Sequence, residues 1–411
     1  MASTVGPSGY KIEPLNTLAF PKGNAPSCEL TGLPASVQCI TTHITLYYAT
    51  REHAEQAWHG IMHKISPLLA PLRAPSVVVG SEEDRAKRDY TLQMSKRALI
   101  DLCSQEASKF LVAGRYELAI PGAIQSLAFL KEVHGDGAME MIPSYLQLAE
   151  ANLGLGRFQQ AEEFLSLANW SVLKNPDCSN HMRSQLHRNF GKLYSAQGRL
   201  EEALVELAKD IYCASLEVGP EHIDTSAGYY HAASIFYTQH RIENALAFYD
   251  KVVDIWYKFL ASVRNDTSLA ESLGESQLQE GMDMLNHILA TRVKLLGETH
   301  IATGEAKYTL GLMHLFMGAR EQARECVAAA CDIYSKHLGP DHPSTRDVAE
   351  VLQQLAKSMV SFDGDGADAG PHAGTPADGL FEGFETHFPK DMPRAATQSP
   401  IPMPPSAEGG L

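Results

Sequence analysis

Residues 198–207, GRLEEALVEL, decide how this chain folds, because the same wording returns along it. It appears as GRYELAI from residue 114, GRFQQAEEFL from 156, HRIENALAFY from 240 and GAREQARECV from 318. The turn positions are Gly114, Gly156, Gly198, His240, Ser276 and Gly318. Five residues after each stands a small residue: Ala119, Ala161, Ala203, Ala245, Gly281 and Ala323, with intervals of 42, 42, 42, 36 and 42 residues. A second ladder lies 21 residues beyond the turns, at Gly135, Gly219, Gly297 and Gly339. Three of its rungs carry Gly-x-x-His and a later Thr: GPEHIDT, GETHIAT and GPDHPST. Self-similarity at a fixed period is the signature of a solenoid.

One repeat shows the physics. Leu186, Phe190, Leu193 and Tyr194 recur at helical spacing and Gly198 ends that helix. Leu200, Ala203, Leu204, Leu207 and Ala208 then form the stripe of a second helix. Ala203 must be small because two helix backbones cross there, and a larger side chain would overpack the crossing. A lone hairpin cannot bury its apolar face, so neighbours stack. The spacing resembles the tetratricopeptide repeat (TPR), and the long period with the LGPDHPST wording resembles its kinesin-light-chain style. The fifth rung departs most, with Gly281 for alanine and a polar stretch at 261–276 that reads as an insertion. The expected fold is an all-α TPR-type solenoid of about six hairpins over residues 91–343, capped by an amphipathic helix at 344–361.

Composition excludes several functions. With 34 basic against 49 acidic residues the net charge is -15, which opposes binding to nucleic acid or anionic membrane. No apolar run approaches the roughly 18–20 residues of a membrane span, and the first residues lack the pattern of a secretory signal. Seven cysteines in no regular framework suit free thiols in a reducing compartment.

Ahead of the repeats, residues 1–27 read as an extended arm and 67–90 as a proline-broken connector, whose SEED stretch caps a helix start. Residues 28–66 resemble a MYND zinc finger. The family's eight ligand positions fall at Cys28, Thr31, Cys39, Thr42, Ala49, His53, Met62 and Ser66. Only Cys28, Cys39 and His53 remain as ligands, and by the family arrangement Cys28 and His53 would share one site while Cys39 sat in the other. A structural zinc site needs four ligands, so a degenerate finger without metal is expected, held by Leu46, Tyr47, Tyr48 and Trp58. Residues 362–411 hold eight glycines and eight prolines, which reads as a disordered low-complexity tail. Within it Leu380, Phe381, Phe384 and Phe388 are spaced for one helix face and are candidates for a partner-binding segment.

Catalytic signatures are missing: no phosphate-binding loop, no Gly-x-Ser-x-Gly, no His-Glu-x-x-His. Cys178 near His181 reads as a loop, Cys326 and Cys331 as helix packing. His222, His300 and His342 belong to different rungs and read as turn histidines before helix starts capped by Thr225, Thr303 or Ser344. No enzyme and no cofactor are expected. A lysine methyltransferase of the MYND-bearing type would need a SET domain, for which residues 67–90 leave no room. What remains is binding. In the repeat family the first helix of each pair lines a groove, which implies Arg188, Lys192, Tyr230, Ser234, Tyr237 and Tyr308 as groove candidates, with core packing as the open alternative for the tyrosines.

The run LAFPKG, ISPLLAPLR, YLQLAEANLGLGRFQQAEEFL, VLKNPDCSN, LHRNFGKLY and LAKDIYCAS is similar to the family of zinc finger MYND domain-containing protein twelve. That resemblance implies a non-catalytic subunit of the ciliary or flagellar axoneme, assembled from cytoplasm. It would help dock a single-headed inner-arm dynein through the heavy-chain tail, a second TPR protein of the tetratricopeptide repeat protein twenty-nine type, and other docking proteins. The alternative is a cytoplasmic dynein-assembly factor or kinesin-light-chain-like cargo adaptor.

Overall fold

A computed structural model describes residues 9–16, 19–20, 26–73, 81–265 and 273–362. The chain divides into two compact units, residues 1–220 and 221–411.

The first unit begins with a three-stranded antiparallel sheet, β1 (Tyr10–Pro14), β2 (Val37–Thr41) and β3 (Thr45–Tyr48), in the order β1-β2-β3. Cys39, Thr41, Leu46 and Tyr48 are buried while their strand neighbours are not, the period of two that makes a one-sided sheet. The expected arm thus contributes an edge strand, with Tyr10 opposite Thr41 and Pro14 opposite Val37. An all-α fold is corrected to a mostly helical one that carries this sheet. Thr50 caps α1 (Arg51–Ala57), which passes through one π-helical turn (Trp58–Met62) into α2 (His63–Arg73). The expected proline break is absent there, since Pro67 and Pro71 both lie within α2. Gly60 is required at the π-turn: a Cβ would stand 2.8 Å from the carbonyl oxygen of Leu118. Ile61, Met62, Ile65 and Leu69 join Leu46, Tyr48, Leu99, Cys103 and Phe129 in one core, and Tyr10 stacks on Trp58 at 4.6 Å.

Ser81 caps α3 (Glu82–Val112), its hydroxyl accepting from the Asp84 amide with Glu82 and Glu83 in the same turn. Then follow α4 (Tyr116–His134), α5 (Ile142–Gly154), α6 (Phe158–Lys174), α7 (Asn180–Ala196) and α8 (Leu200–Val218). The second unit holds α9 (Ile223–Thr238), α10 (Ile242–Asn265), α11 (Glu275–Leu296), α12 (Ile301–Phe316), α13 (Arg320–His337) and α14 (Pro343–Phe362).

Five turns, at 114, 156, 198, 240 and 318, share one closure. The third residue past the helix donates its amide five residues back, as Arg199 does to the Tyr194 carbonyl and Arg241 to that of Phe236. This is the Schellman closure, and it needs a left-handed residue. Four turns use glycine, whereas His240 adopts φ 59°. Arginine at the closing position lies over the aromatic ring five residues before it, 4.1 Å for Arg199 on Tyr194 and 4.6 Å for Arg241 on Phe236. The small residues Ala119, Ala161, Ala203, Ala245 and Ala323 are buried, and opposite Ala203 a Cβ on Gly191 would meet Leu207 at 2.7 Å.

The fifth rung is different. Ser276 is no turn but lies in the first helical turn of α11, so five hairpins plus a single helix replace the expected six hairpins among the described residues. Gly281 faces Trp256 of α10, whose ring a Cβ would meet at 2.4 Å. The turn histidines are themselves the caps. Nδ1 of His222, His300 and His342 accepts the amide of Asp224, Ala302 and Ser344 at 3.3, 3.2 and 3.2 Å. Thr225, Thr303 and Ser344 therefore do not cap, and Thr303 is buried with its hydroxyl donated to the Gly297 carbonyl. Helix α14 covers the region expected as the capping helix, with Val348, Val351 and Leu355 buried. The tail candidates Leu380, Phe381, Phe384 and Phe388 lie outside the described residues.

Candidate functional site

The groove candidates fall in two places. In the first unit, α7 presents Arg188 and Lys192. Arg188 binds Asp210 of α8 through Nε at 3.0 Å, and Asp210 is fully buried and also accepts from Ser184. Lys192 reaches Glu150 of α5, one repeat period before it, at 2.8 Å, and holds that carboxyl below the usual range. His187 contacts Glu206 at 2.7 Å. These charges stitch neighbouring helices together.

In the second unit, Tyr230 and Ser234 of α9 meet Tyr249 of α10 and His287 of α11. The ring of Tyr230 lies 5.6 Å edge-on to His287 and 6.2 Å from Tyr249. Burial pushes the Tyr230 hydroxyl up to about 12 and the His287 imidazole down. Ser234 donates to the Tyr230 carbonyl at 3.0 Å and lies 3.3 Å from the Tyr249 hydroxyl. Lys294 sits over Tyr237 at 5.8 Å. Tyr308 of α12 is buried, its ring centroid 6.0 Å from that of Tyr257.

Sequence reasoning missed a third polar group. Arg292 of α11 is fully buried and is held by the Ala302 carbonyl and by Asp250 of α10. Glu305 of α12 stands near, and burial, together with Asp250 and Asp254, pushes its carboxyl up to about 7 against the lowering pull of Arg292. The only trace in the sequence is that Asp250 and Arg292 are 42 residues apart, the same interval as Glu150 and Lys192.

At the amino-terminal region Cys28 Sγ lies 3.8 Å from His53 Nδ1. Cys39 is on β2, buried, with its thiol pushed up to about 11. Among the described residues no three or more of His, Cys, Asp and Glu gather in a way that could hold a metal. Cys178 is buried beside Met182, at 3.8 Å, which raises its thiol as well. Cys326 and Cys331 are half-buried on α13.

A tetratricopeptide-repeat family matches residues 303–344, the end of the ladder read above. Curated relatives include the clustered mitochondria protein homolog of Debaryomyces hansenii, 26% identical over 185 residues. That alignment covers 44% of this chain and 13% of the relative. The Aspergillus fumigatus homolog is 23% identical over 228 residues, covering 52% and 17%. The chain therefore spans less than a fifth of these relatives' length. Among solved structures, the kinesin light chain TPR-like repeats of Podosopora anserina align with TM-score 0.31 and 18% identity over 58% of this chain and 95% of that one. BtubC of P. vanneervenii aligns with TM-score 0.27 and 16% identity over 67% and 97%.

These findings overturn the resemblance to the family of zinc finger MYND domain-containing protein twelve. The relatives bear the clustered mitochondria name and the matching family is a TPR one; neither is a MYND or axonemal dynein protein. The placement in the ciliary axoneme falls with it. The dynein tail, the second TPR protein and the docking proteins were expected on that resemblance alone. What stands is a mostly helical chain of hairpins whose residues 303–344 match a TPR family.

Proposed function

We propose that this chain is a non-catalytic cargo adaptor of the kinesin-light-chain-like kind, whose paired helices hold a segment of a partner protein. The observation that carries this is the coincidence of the TPR match at 303–344 with a hairpin built like the four before it. Helices α5 and α7 of the first unit and α9 and α12 of the second each open a hairpin, and within each unit their polar and aromatic residues are spent on ion pairs and ring contacts that fix neighbouring helices. A rigid surface of that sort favours binding, because little is lost in ordering it. The name borne by the relatives, although they match over a small share of their length, points to mitochondria as the cargo class. The adaptor reading places the chain on the cytoplasmic side of that organelle.

The test is proximity labelling from the full chain in cells, together with imaging of mitochondria after its depletion. The expected outcome is enrichment of mitochondrial surface proteins or of a motor complex, with altered organelle distribution. Enrichment of neither, with mitochondria unmoved, would overturn the reading.

A further inference from the structure

Most of the large apolar side chains exposed among the described residues lie on two helices, α6 and α8 of the first unit. On α8, Val205, Tyr212 and Leu216 recur at i, i+7 and i+11, a single stripe. That stripe is diametrically opposite Ala203, Leu207, Asp210 and Ala214, which are buried. On α6, Leu167, Trp170 and Leu173 turn away from Ala161, Leu165, Ala168 and Val172 in the same manner. The exposures are large: 75% for Leu173, 57% for Leu216, and 53% for both Trp170 and Tyr212.

The repeat register shows that stacking does not require these side chains. Trp170 and Tyr212 occupy one position, nine residues past the small residue of consecutive repeats. The same position holds Ala128, Asp254, Ala290 and Asp332 elsewhere in the ladder. Small or charged residues suffice there in the other rungs, so the two exposed aromatics are not a demand of the fold. Exposed apolar stripes of this kind mark a site of contact.

Charge selects the occupant. Glu162 and Glu163 of α6 line a shallow depression with Leu167, and Glu217 is exposed at the end of α8. Among the described residues none of these three forms a salt bridge. The neighbouring cations are engaged: Lys174 lies 5.0 Å from the Trp170 ring centroid, Arg199 pairs with Glu202 and Lys209 with Glu206. An apolar stripe with exposed carboxylates beside it that no cation neutralises repels an anionic membrane and suits a helix with leucine-type residues on one face and lysine or arginine along its edges.

We propose that the outer faces of α6 and α8 form a second docking surface, separate from the first-helix faces, for a basic amphipathic helix of a partner protein. Its footing is independent of the cargo-adaptor reading, because it uses only exposed side chains of the second helix in two hairpins.

The test uses the full chain and a fluorescein-labelled leucine–lysine peptide of about five helical turns, with a scrambled peptide of equal composition as control. Fluorescence anisotropy reads the affinity. The amphipathic peptide binds at least about tenfold more tightly than the scrambled one, and Leu173→Ser, Tyr212→Ser and Leu216→Ser together weaken it by about tenfold or more. Circular dichroism and Tm confirm that the triple variant stays folded; Leu173→Ser alone serves should the triple variant be destabilised. Glu162→Lys with Glu163→Lys also weakens binding and flattens its dependence on salt. Equal binding by the triple variant, or by the scrambled peptide, overturns the proposal. So does a dimer in light scattering that the triple variant dissolves, which would put a second copy on this face. A gain in peptide affinity from Phe381→Ser with Phe384→Ser overturns it too, since the chain's own tail would then be the occupant.

Discussion

His240 does the work of a glycine. It holds φ 59° at the turn between α9 and α10, where the four equivalent turns use glycine. An L-residue in that conformation carries about 1–2 kcal/mol of strain, part of which glycine gives back as unfolded-state entropy. His240→Gly is therefore expected to raise stability by up to about 1 kcal/mol, or roughly 2–4 °C in Tm. His240→Val should lower it, and thermal unfolding followed by circular dichroism separates the two. Glu305 gives a pH prediction. Its carboxyl is raised from the usual 4.5 to about 7, so the folded chain binds this proton more tightly than the unfolded chain. The stability it contributes is complete below about 4.5 and is lost as pH rises through about 7. Urea midpoints should fall between about pH 5 and pH 8, and Glu305→Gln should flatten that slope by removing the charge. At the amino-terminal site, Cys28 and His53 stand together without a third ligand among the described residues, while Cys39 is held protonated by burial. Neither zinc nor a chelator is expected to move the unfolding temperature of the whole protein, whereas a structural zinc would shift it by many degrees.

At the scale of elements, the hairpins depend on close crossings and buried charges. Gly281→Val forces Trp256 away from α11, since even a Cβ there stands 2.4 Å from the ring. Overpacking of that kind costs about 1–3 kcal/mol, to be measured by denaturant titration. Arg188→Ala leaves Asp210 buried with Ser184 as its one side-chain partner among the described residues. Removing one member of a buried pair costs on the order of 3–5 kcal/mol, and a loss no larger than that of an exposed arginine would show that water reaches Asp210. The elements also separate what could be read from what could not. The Gly198 turn and Ala203 crossing were legible because each is a local backbone requirement repeated at a fixed interval. The α2 helix was not: Pro67 and Pro71 signal a break by local rules, but Ile65 and Leu69 are anchored in a core shared with Leu99 and Phe129. Likewise Ser276 stood where the ladder placed a turn, yet α11 is a single helix that lies against α10 through Gly281.

At the scale of the whole molecule, repeat units carry interactions mainly to their neighbours, so the binding surfaces are set by which face each helix leaves uncovered. The sequence by itself determined that the chain is a ladder of helical hairpins, because glycine turns and small crossing residues report backbone geometry without reference to distant partners. It also determined an acidic balance unsuited to nucleic acid. Only the tertiary structure decided that Arg292 and Asp210 point inward, that Arg188 and Lys192 brace helices, and that Trp170 and Tyr212 stand outside. A helical residue's environment is chosen by the helix packed against it, and that neighbour can lie a full repeat away in the chain.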